Sequence, residues 1–139
     1  MTKYCTSSSY GTVDNKTTLE ASDDVATVKW GGSWRMPTLE EQNELVSNCN
    51  WQWTILNGVI GYRVTGPNGN SIFLPATGFR SGTEVGNQSS YHYYWTSSLV
   101  CGTSNSPNDE AYYLYFRNGS FSCSYYYRCD GHTVRPVCE

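Results

Sequence analysis

The first ordered pattern in the chain follows a polar N-terminal segment that is rich in Ser and Thr. Residues 22–24 (Ser-Asp-Asp) offer side-chain oxygens and negative charge, which favour the start of a helix. The glycines at 31–32 favour its end, so we predict a short helix that reaches about Lys29. The segment 34–37 (Trp-Arg-Met-Pro) is then predicted to be extended, because a residue before proline disfavours the helical conformation.

A second helix is predicted over about residues 38–48. The Thr38 side chain is placed to accept a hydrogen bond from the backbone of Glu41, whose own side chain can reach back, and this is the pattern of a capping box. Apolar residues recur on one side of the same segment at helical spacing: Leu39, Leu45 and Val46. Both predicted helices precede the strands.

From Trp51 onward the pattern changes to short apolar runs between turn residues, which is typical of strands. The predicted strands cover residues 51–54, 61–65, 71–74, 93–97, 111–116, 121–125 and 133–137. Residues 66–70 (Gly-Pro-Asn-Gly-Asn) and 117–119 (Arg-Asn-Gly) each favour a chain reversal and predict a hairpin between the neighbouring strands. Helices followed by antiparallel strands indicate an α+β domain.

Tyrosine is concentrated in the C-terminal strands. Nine of the 12 tyrosines lie between Tyr91 and Tyr127. Strand alternation along 111–116 predicts Tyr113 and Tyr115 on the solvent side and the intervening residues in the core: Tyr112, Leu114 and Phe116. Residues 125–132 show no period and predict a loop. An exposed strand face is therefore predicted to meet an aromatic loop.

This tyrosine-rich region has the composition of a binding surface. Tyrosine combines a large contact area with few rotatable bonds, and Ser, Gly and Asn add adaptable hydrogen bonding. The alternative is that tyrosine serves only as a good strand former, with Tyr113 and Tyr115 in cross-strand pairs that have no ligand. Three consecutive tyrosines in a predicted loop cannot all face the core, and unused aromatic surface promotes aggregation. We therefore favour a binding role.

The length of 139 residues corresponds to about one domain. Nine Lys and Arg against 12 Asp and Glu give a net charge of -3, without the basic stripe that nucleic-acid binding requires. No apolar run of about 18 residues is present, so no membrane span is predicted. Residues 1–10 lack the apolar stretch of a secretory signal, so we expect a cytosolic chain, export by another route or a trimmed chain.

The six cysteines leave the redox state open. The even number permits up to three disulfides, whereas a core of this size is also stable with free thiols. No Cys-X-X-Cys pair and no Cys-His cluster with zinc spacing occurs in the sequence. The residues concerned are Cys5, Cys49, Cys101, Cys123, Cys129 and Cys138.

Five residue types are missing from the tyrosine-rich end of the chain. Lys, Glu, Gln, Met and Trp do not occur between residues 111 and 138. Codons of the form N-N-pyrimidine encode Tyr, Ser, Asn, Asp, His, Cys, Arg and Gly but none of these five types. Two explanations stay open, namely randomised codons of this form and chance in a short β-rich segment.

Five segments, taken in order, resemble the Fibrobacter-type paralogous domain common in gut Bacteroidetes. They are 31–38 (Gly-Gly-Ser-Trp-Arg-Met-Pro-Thr), 73–80 (Phe-Leu-Pro-Ala-Thr-Gly-Phe-Arg), 94–98 (Tyr-Trp-Thr-Ser-Ser), 111–116 (Ala-Tyr-Tyr-Leu-Tyr-Phe) and 134–137 (Val-Arg-Pro-Val). That family is related to the C-type lectin fold, and its members include variable proteins of diversity-generating retroelements, similar in fold to a phage tropism determinant. A reverse transcriptase in those systems randomises template adenines, so that Asn codons become N-N-pyrimidine codons.

The resemblance covers nearly the whole chain and implies a single C-type lectin-like domain over 1–139, with a variable-type region at about 91–132. It implies that the scaffold residues are Trp34, Arg35, Pro37, Trp95, Ser97, Ser98, Leu114, Phe116, Gly131, Arg135 and Pro136. The displayed, ligand-binding positions would be Tyr91, Tyr93, Tyr113, Tyr115, Ser120, Ser122, Ser124, Tyr125, Tyr126, Tyr127, Cys129, Asp130 and His132. By the same resemblance the protein would act at a cell surface or on a phage virion, and the start at Met1 would reflect truncation or a phage-borne version.

No catalytic residue is predicted. His92 and His132 are the only histidines, and neither lies in a motif that pairs it with a nucleophile and an orienting acid. The formylglycine-generating enzymes resemble this chain in architecture and rely on a reactive cysteine pair. Cys123 and Cys129 are close in sequence, but both positions also fit random N-N-pyrimidine codons.

Calcium-dependent sugar binding is the main alternative. Residues 106–110 (Ser-Pro-Asn-Asp-Glu) resemble the Glu-Pro-Asn loop of sugar-binding C-type lectins, but the leading acid is absent and no Trp-Asn-Asp follows. Calcium needs about six to eight oxygen ligands, usually with several carboxylates among them. Because this segment lacks the leading acid and the Trp-Asn-Asp sequence, we predict no cofactor. The sequence thus predicts a binding module that contacts a macromolecular ligand, protein or glycan, on a cell surface. The alternative is a lectin or adhesin domain of fixed specificity.

Overall fold

The computed structural model describes residues 3–9, 11–86, 91–100 and 109–138. Within these ranges the elements are α1 (Val25–Trp30), β1 (Trp34–Arg35), α2 (Leu39–Asn48), β2 (Asn50–Leu56), β3 (Val59–Thr65), β4 (Ser71–Pro75), β5 (Phe79–Ser81), β6 (Glu84–Gly86), β7 (His92–Leu99), β8 (Glu110–Arg117), β9 (Ser120–Tyr127) and β10 (Val137–Cys138). The strands form four antiparallel sheets, β1–β10, β2–β3–β4, β5–β6 and β7–β8–β9. The predicted α+β class is therefore confirmed.

The first predicted helix forms as α1 and begins at a side-chain cap. One carboxylate oxygen of Asp24 accepts hydrogen bonds from the backbone N–H groups of Ala26 and Thr27, at 2.9 and 3.1 Å. Its other oxygen accepts one from the N–H of Met36 at 2.8 Å. Gly31 ends the helix with a φ of 66°, a conformation that favours glycine. One buried carboxylate thus fixes both the helix start and the strand that follows.

The predicted capping box at the start of α2 is also confirmed. The hydroxyl of Thr38 accepts a hydrogen bond from the Glu41 N–H at 3.3 Å, and the Glu41 carboxylate accepts one from the Thr38 N–H at 2.8 Å. Arg35 donates two further hydrogen bonds to this carboxylate, each at 2.8 Å, and holds the pKa of Glu41 below its ordinary value. The end of β1 is thereby tied to α2.

Two tight turns connect β2, β3 and β4. Asn57 and Gly58 form the first turn with φ values of 51° and 80°, as an Asn-Gly hairpin turn requires. The second is the predicted reversal at 66–70, where the N–H of Gly69 donates to the carbonyl of Gly66 at 3.0 Å. The predicted hairpin at this point is confirmed.

The predicted turn at 117–119 joins β8 to β9 and also contacts the other three-stranded sheet. Gly119 adopts a φ of 82°, which favours glycine. Its N–H donates to the hydroxyl of Tyr62 in β3 at 2.9 Å, and the same hydroxyl donates to the carbonyl of Arg117 at 3.1 Å. One phenol group therefore fixes the position of this hairpin against the core.

The main core is built from β3, β4, β7 and β8, and α2 packs against it. Its buried centre consists of Tyr62, Val64, Leu74, Tyr94, Leu114 and Phe116. Leu114 and Phe116, both predicted core residues, are 2% and 0% exposed. Trp51 of β2 packs at the edge of this centre, with its ring stacked 4.4 Å from that of Phe121. Because one face of β7–β8–β9 closes the core, the opposite face of the same sheet is left for other contacts.

Three strand-level predictions are wrong. Residues 125–127 continue β9 instead of forming a loop, because Tyr125 pairs with Tyr112 and Tyr126 with Ala111. Tyr112, predicted in the core, is only half-buried, and its ring contacts that of Tyr125 at 5.9 Å. The strand predicted at 133–137 is limited to β10, and Thr133 makes a single parallel bridge to Tyr94. The first two outcomes depend on pairing within the β8–β9 hairpin, and the third depends on strands that are distant in sequence.

Candidate functional site: an aromatic sheet face with a cleft

One face of the β7–β8–β9 sheet carries most of the aromatic residues that the sequence singles out. Tyr93 lies opposite Tyr115 and Trp95 opposite Tyr113, and residues directly opposite in an antiparallel pair project from the same face. Tyr91 stacks on Tyr93 with ring centroids 6.5 Å apart. We call this set the aromatic face: Tyr91, Tyr93, Trp95, Tyr113, Tyr115 and Tyr126.

His132 lies over the middle of the aromatic face. Its imidazole stacks on Trp95 with a centroid distance of 4.0 Å and on Tyr93 at 4.9 Å, and it meets Tyr113 edge-on at 5.4 Å. The backbone holds it there, because the N–H of Thr133 donates to the carbonyl of Tyr93 at 3.1 Å and the Trp95 N–H donates to Thr133 at 2.9 Å. His132 is therefore a half-buried, packed residue that also lines a cleft beside the aromatic face, and its role as a ligand-binding position stays a prediction.

Tyr113 is covered by the same crossing segment. Sequence alternation predicted it on the solvent side, yet its side chain is only 9% exposed. Strand alternation correctly placed Tyr113 on the face of the sheet opposite the main core. Residues 130–133 cross this face, however, and shield Tyr113 from solvent. The prediction that Tyr113 is displayed is therefore wrong, whereas Tyr115 beside it stays half-buried and accessible.

Burial keeps the aromatic face uncharged. Desolvation lowers the pKa of His132 to about 4, with a small opposing effect from Asp130. Burial raises the pKa of Tyr93, and the nearby phenols of the face add to this shift. Burial also raises the pKa of Tyr113. At neutral pH the imidazole is neutral, and the phenols of Tyr93 and Tyr113 keep their protons, so they can donate as well as accept hydrogen bonds.

A cleft of about 430 Å³ opens at one side of the aromatic face. Phe79 of β5 forms its far wall and meets the ring of Tyr93 edge-on at 5.4 Å. The Asp130 backbone is fixed there, since its carbonyl accepts a hydrogen bond from the Trp95 indole at 3.3 Å. Its lining residues are Phe79, Ser81, Tyr93, Tyr113, Tyr126, Asp130 and His132. The site thus offers aromatic walls, phenol hydroxyls and one carboxylate.

Phe79 and Ser81 were not predicted as site residues. Phe79 reaches the cleft because Arg80 pairs with Gly131, with backbone hydrogen bonds of 2.8 and 2.6 Å. This pairing joins segments that are 51 positions apart, so no local pattern marks it. The only sequence signal was the segment 73–80, which stood out through the family resemblance and not through site chemistry.

The remaining predicted site residues fall into two groups. Ser122 and Ser124 are half-buried on the aromatic face, opposite Tyr115 and Tyr113, and Ser120 lies next to the turn. Tyr125 and Tyr127 alternate with Tyr126 along β9 and so start from the other face of the sheet, but the Tyr127 ring still meets that of Tyr126 edge-on at 5.1 Å. They are 51% and 46% exposed, and Cys129 is also exposed. The structure brings together the first group but not the second.

The described residues contain no group of three or more His, Cys, Asp or Glu side chains that could hold a metal ion. The possible calcium loop at 106–110 lies largely outside the described residues. No disulfide joins the five described cysteines, and burial raises the pKa of the Cys123 thiol to about 11. His92 is 1% exposed, and its Nδ1 accepts a hydrogen bond from the N–H of Gly78 at 3.0 Å. Its contacts are those of a core residue.

No protein-family model, no curated protein and no solved structure matches this chain. Among the described residues, neither helix has the length and apolar character needed to cross a membrane.

Proposed function

We propose that this chain is a binding domain with a C-type lectin-like fold, and that its aromatic face and cleft bind a macromolecular ligand on a cell surface. One observation carries the proposal: Tyr93, Tyr113 and Tyr126, from three strands, line a single cleft with Asp130 at its side. A concave aromatic surface with a few polar groups is the usual form of a ligand site.

The exposed tyrosines would supply most of the affinity. Tyr126 is 47% exposed and Tyr115 is half-buried, so both keep surface that a partner can cover. A protein interface of ordinary size buries about 800 Å² on each partner, and a few Tyr, Trp or Arg residues dominate its energy. His132 and Tyr113 would act as a rigid base beneath these contacts, which limits the entropy lost on binding.

We also propose that a diversity-generating retroelement varies this site. The support is the resemblance described above together with the absence of Lys, Glu, Gln, Met and Trp from residues 111–138. Sequencing the DNA around the gene tests this directly. A near-copy of the segment that encodes residues 91–137, with AAY codons at the varied positions and a reverse transcriptase gene nearby, is the expected result. Absence of such a copy would leave a binder of fixed specificity.

A metal-free carbohydrate site is the second candidate, and the lining of the cleft favours it. Tyr93 and Tyr126 offer aromatic faces for stacking on a sugar ring, and Ser81 and Asp130 offer polar groups beside them. Saturable binding to a defined glycan that persists in the presence of a chelator would identify this candidate. Loss of binding on chelation would instead indicate a calcium site.

Two neighbouring tyrosines give a matched test of the binding site. Tyr126 and Tyr125 have similar exposure, 47% and 51%, but alternate along β9 and project from opposite faces, and the Tyr125 ring contacts that of Tyr112. We expect the labelled protein to bind saturably to a printed glycan array or to cells of a panel of gut Bacteroidetes. Tyr126→Ala should weaken that binding at least about fivefold, whereas Tyr125→Ala should change it less than about twofold. Equal effects of both variants would contradict the assignment to the aromatic face.

A further inference from the structure

The cleft beside the aromatic face has one side chain that is charged at neutral pH among its described lining residues. That residue is Asp130, which is half-buried. The imidazole of His132 is uncharged there, because burial lowers its pKa to about 4. The Asp130 carboxylate lies close enough to this imidazole to oppose the shift. A ligand that enters the cleft therefore meets a net negative charge.

The positively charged side chains nearest in sequence to the cleft are held elsewhere. Arg80 alternates with the two lining residues of β5 and therefore projects from the other side of that strand, and its Nε donates to the Gly82 carbonyl at 3.2 Å. The guanidinium of Arg128 lies 5.8 Å from the ring centre of Tyr4. In the part of the chain that the structure describes, Asp130 takes part in no ion pair. Its carboxylate is thus available to a positive group of a ligand.

The uncharged lining of the cleft suits an alkyl chain that ends in a positive charge. Phe79 and Tyr93 meet edge-on at 5.4 Å and form an apolar wall against which methylene groups can pack. Aromatic rings also attract cations through their negative faces. Ser81 and Tyr126 are exposed, and their hydroxyl oxygens can accept hydrogen bonds from N–H donors.

We propose that the cleft binds a lysine side chain of a protein ligand, with its ammonium group at the Asp130 carboxylate and its methylene stem against Phe79 and Tyr93. The volume of about 430 Å³ falls within the usual range for ligand sites, about 300 to 1,000 Å³. A neutral sugar would leave the carboxylate without a counter-ion, so the charge of the cleft favours the ammonium group. This inference rests on the proposed function, because it names the group that the same site would recognise.

Pentan-1-amine and pentan-1-ol are a matched pair of probes, because they share chain length and only the amine is positively charged at neutral pH. We expect the backbone N–H signals of Asp130 and Ser81 to shift saturably with the amine in NMR titrations. The alcohol should bind at least about fivefold more weakly, since it lacks the charge-assisted hydrogen bond. Equal affinities, or no saturable shift with either probe, would overturn the proposal.

Choline distinguishes a primary ammonium from a quaternary one, because its charged nitrogen carries methyl groups and no N–H donor. We expect choline to bind more weakly than pentan-1-amine. Choline that binds at least as tightly as the amine would show that the cleft selects a quaternary ammonium group, and this would overturn the assignment to lysine.

Two variants with the same change in charge test the role of Asp130. Asp130→Asn keeps the size of the side chain and should reduce the preference for amine over alcohol to less than about twofold. Glu84→Gln alters an exposed carboxylate that is not among the lining residues, and it should leave the preference unchanged. A preference that survives in Asp130→Asn, or one that is lost equally in both variants, would overturn the role of Asp130. The comparison of probes on the unaltered protein requires neither variant to fold.

The comparison of Tyr126→Ala with Tyr125→Ala tests the proposed function separately from this inference. Protein that binds cells, loses that binding in Tyr126→Ala and shows no preference for the amine would retain the proposed function and overturn the inference. Protein that prefers the amine but binds neither cells nor glycans would support the ammonium site and contradict the proposed function.

Discussion

The imidazole of His132 stacks on the indole of Trp95 with ring centroids 4.0 Å apart and planes inclined by 22°. This contact joins the segment after β9 to the middle of β7, and the two residues are 37 positions apart in the sequence. His132, which the sequence predicts as a displayed position, is therefore packed against the sheet. Among the tyrosines of the aromatic face, Tyr126 is exposed, and Tyr91, Tyr93 and Tyr115 are half-buried.

The stacking of His132 predicts a stability effect for its removal. His132→Ala deletes the ring contacts with Trp95, Tyr93 and Tyr113, and we expect unfolding to become easier by about 2 kcal/mol. His132→Phe retains an aromatic ring and should cost less than half of this. Urea denaturation followed by fluorescence measures both variants. Two variants as stable as the original protein would mean that the ring is not packed as described.

Folding stability should fall as the pH drops from 6.5, the ordinary pKa of histidine, toward 4. His132 is neutral in the fold, and His92, whose pKa burial also lowers, uses Nδ1 as an acceptor from Gly78. The unfolded chain then binds more protons than the folded one, so stability decreases with decreasing pH. Allowing for partial exposure, His132 should account for about 2 kcal/mol over this range.

Urea midpoints at pH 7.5, 6.5, 5.5 and 4.5 measure this dependence. His132→Phe should reduce the slope, and the part that remains belongs to His92. Arg35 lowers the pKa of Glu41 from its ordinary value of about 4.5. Paired carboxylates of this kind therefore lose their contribution to folding stability only below about pH 4.5. Stability that stays level between pH 6.5 and 4.5 would contradict the burial of both histidines.

Adjacent tyrosines of β8 should differ sharply in their effect on stability. Tyr113 is 9% exposed and packs against Tyr93, Trp95 and His132, so Tyr113→Ala should cost about 3 kcal/mol. Tyr115→Ala should cost less than about 1 kcal/mol, because its side chain keeps contact with solvent. Thermal unfolding of the two variants decides this, and a larger loss for Tyr115→Ala would reverse the assignment of buried and displayed residues.

The cap at Asp24 should be worth more than an ordinary surface cap. Asp24→Ala removes acceptors from Ala26, Thr27 and the buried N–H of Met36, and we expect a loss of about 2 kcal/mol or more. Glu40→Ala, an exposed change in the first turn of α2, serves as the control and should cost less than about 0.5 kcal/mol. Equal losses of unfolding free energy in the two variants would show that the three hydrogen bonds of Asp24 do not stabilise the fold.

Thiol labelling should separate two cysteines that are close in sequence. Cys129 is exposed, whereas Cys123 is half-buried and its thiol has a pKa of about 11. At pH 7.5 in the native state, a maleimide should modify Cys129 much faster than Cys123, as peptide mass mapping can show. Denaturant should remove the difference. Rapid native labelling of Cys123 would contradict its position in the core.

Local sequence signals predicted the parts of the fold that depend on neighbours in the chain. The Thr38–Glu41 capping box and the turns at 66–70 and 117–119 are of this kind, and all three are confirmed. The predicted state of Tyr113 was wrong because its burial depends on a segment about 20 positions later that crosses the sheet. Phe79 was missed as a site residue for the same reason, since pairing of Arg80 with Gly131 positions it.

The alternation of side chains along β8 sets a rule for how this protein can change. Leu114 and Phe116 face the core, whereas Tyr115 between them faces outward. Substitutions at Tyr115 therefore change the surface, whereas substitutions one position away, at Leu114 or Phe116, change the core. Along β8, positions that tolerate substitution and positions that do not therefore alternate residue by residue, because successive side chains of a strand point to opposite faces of the sheet.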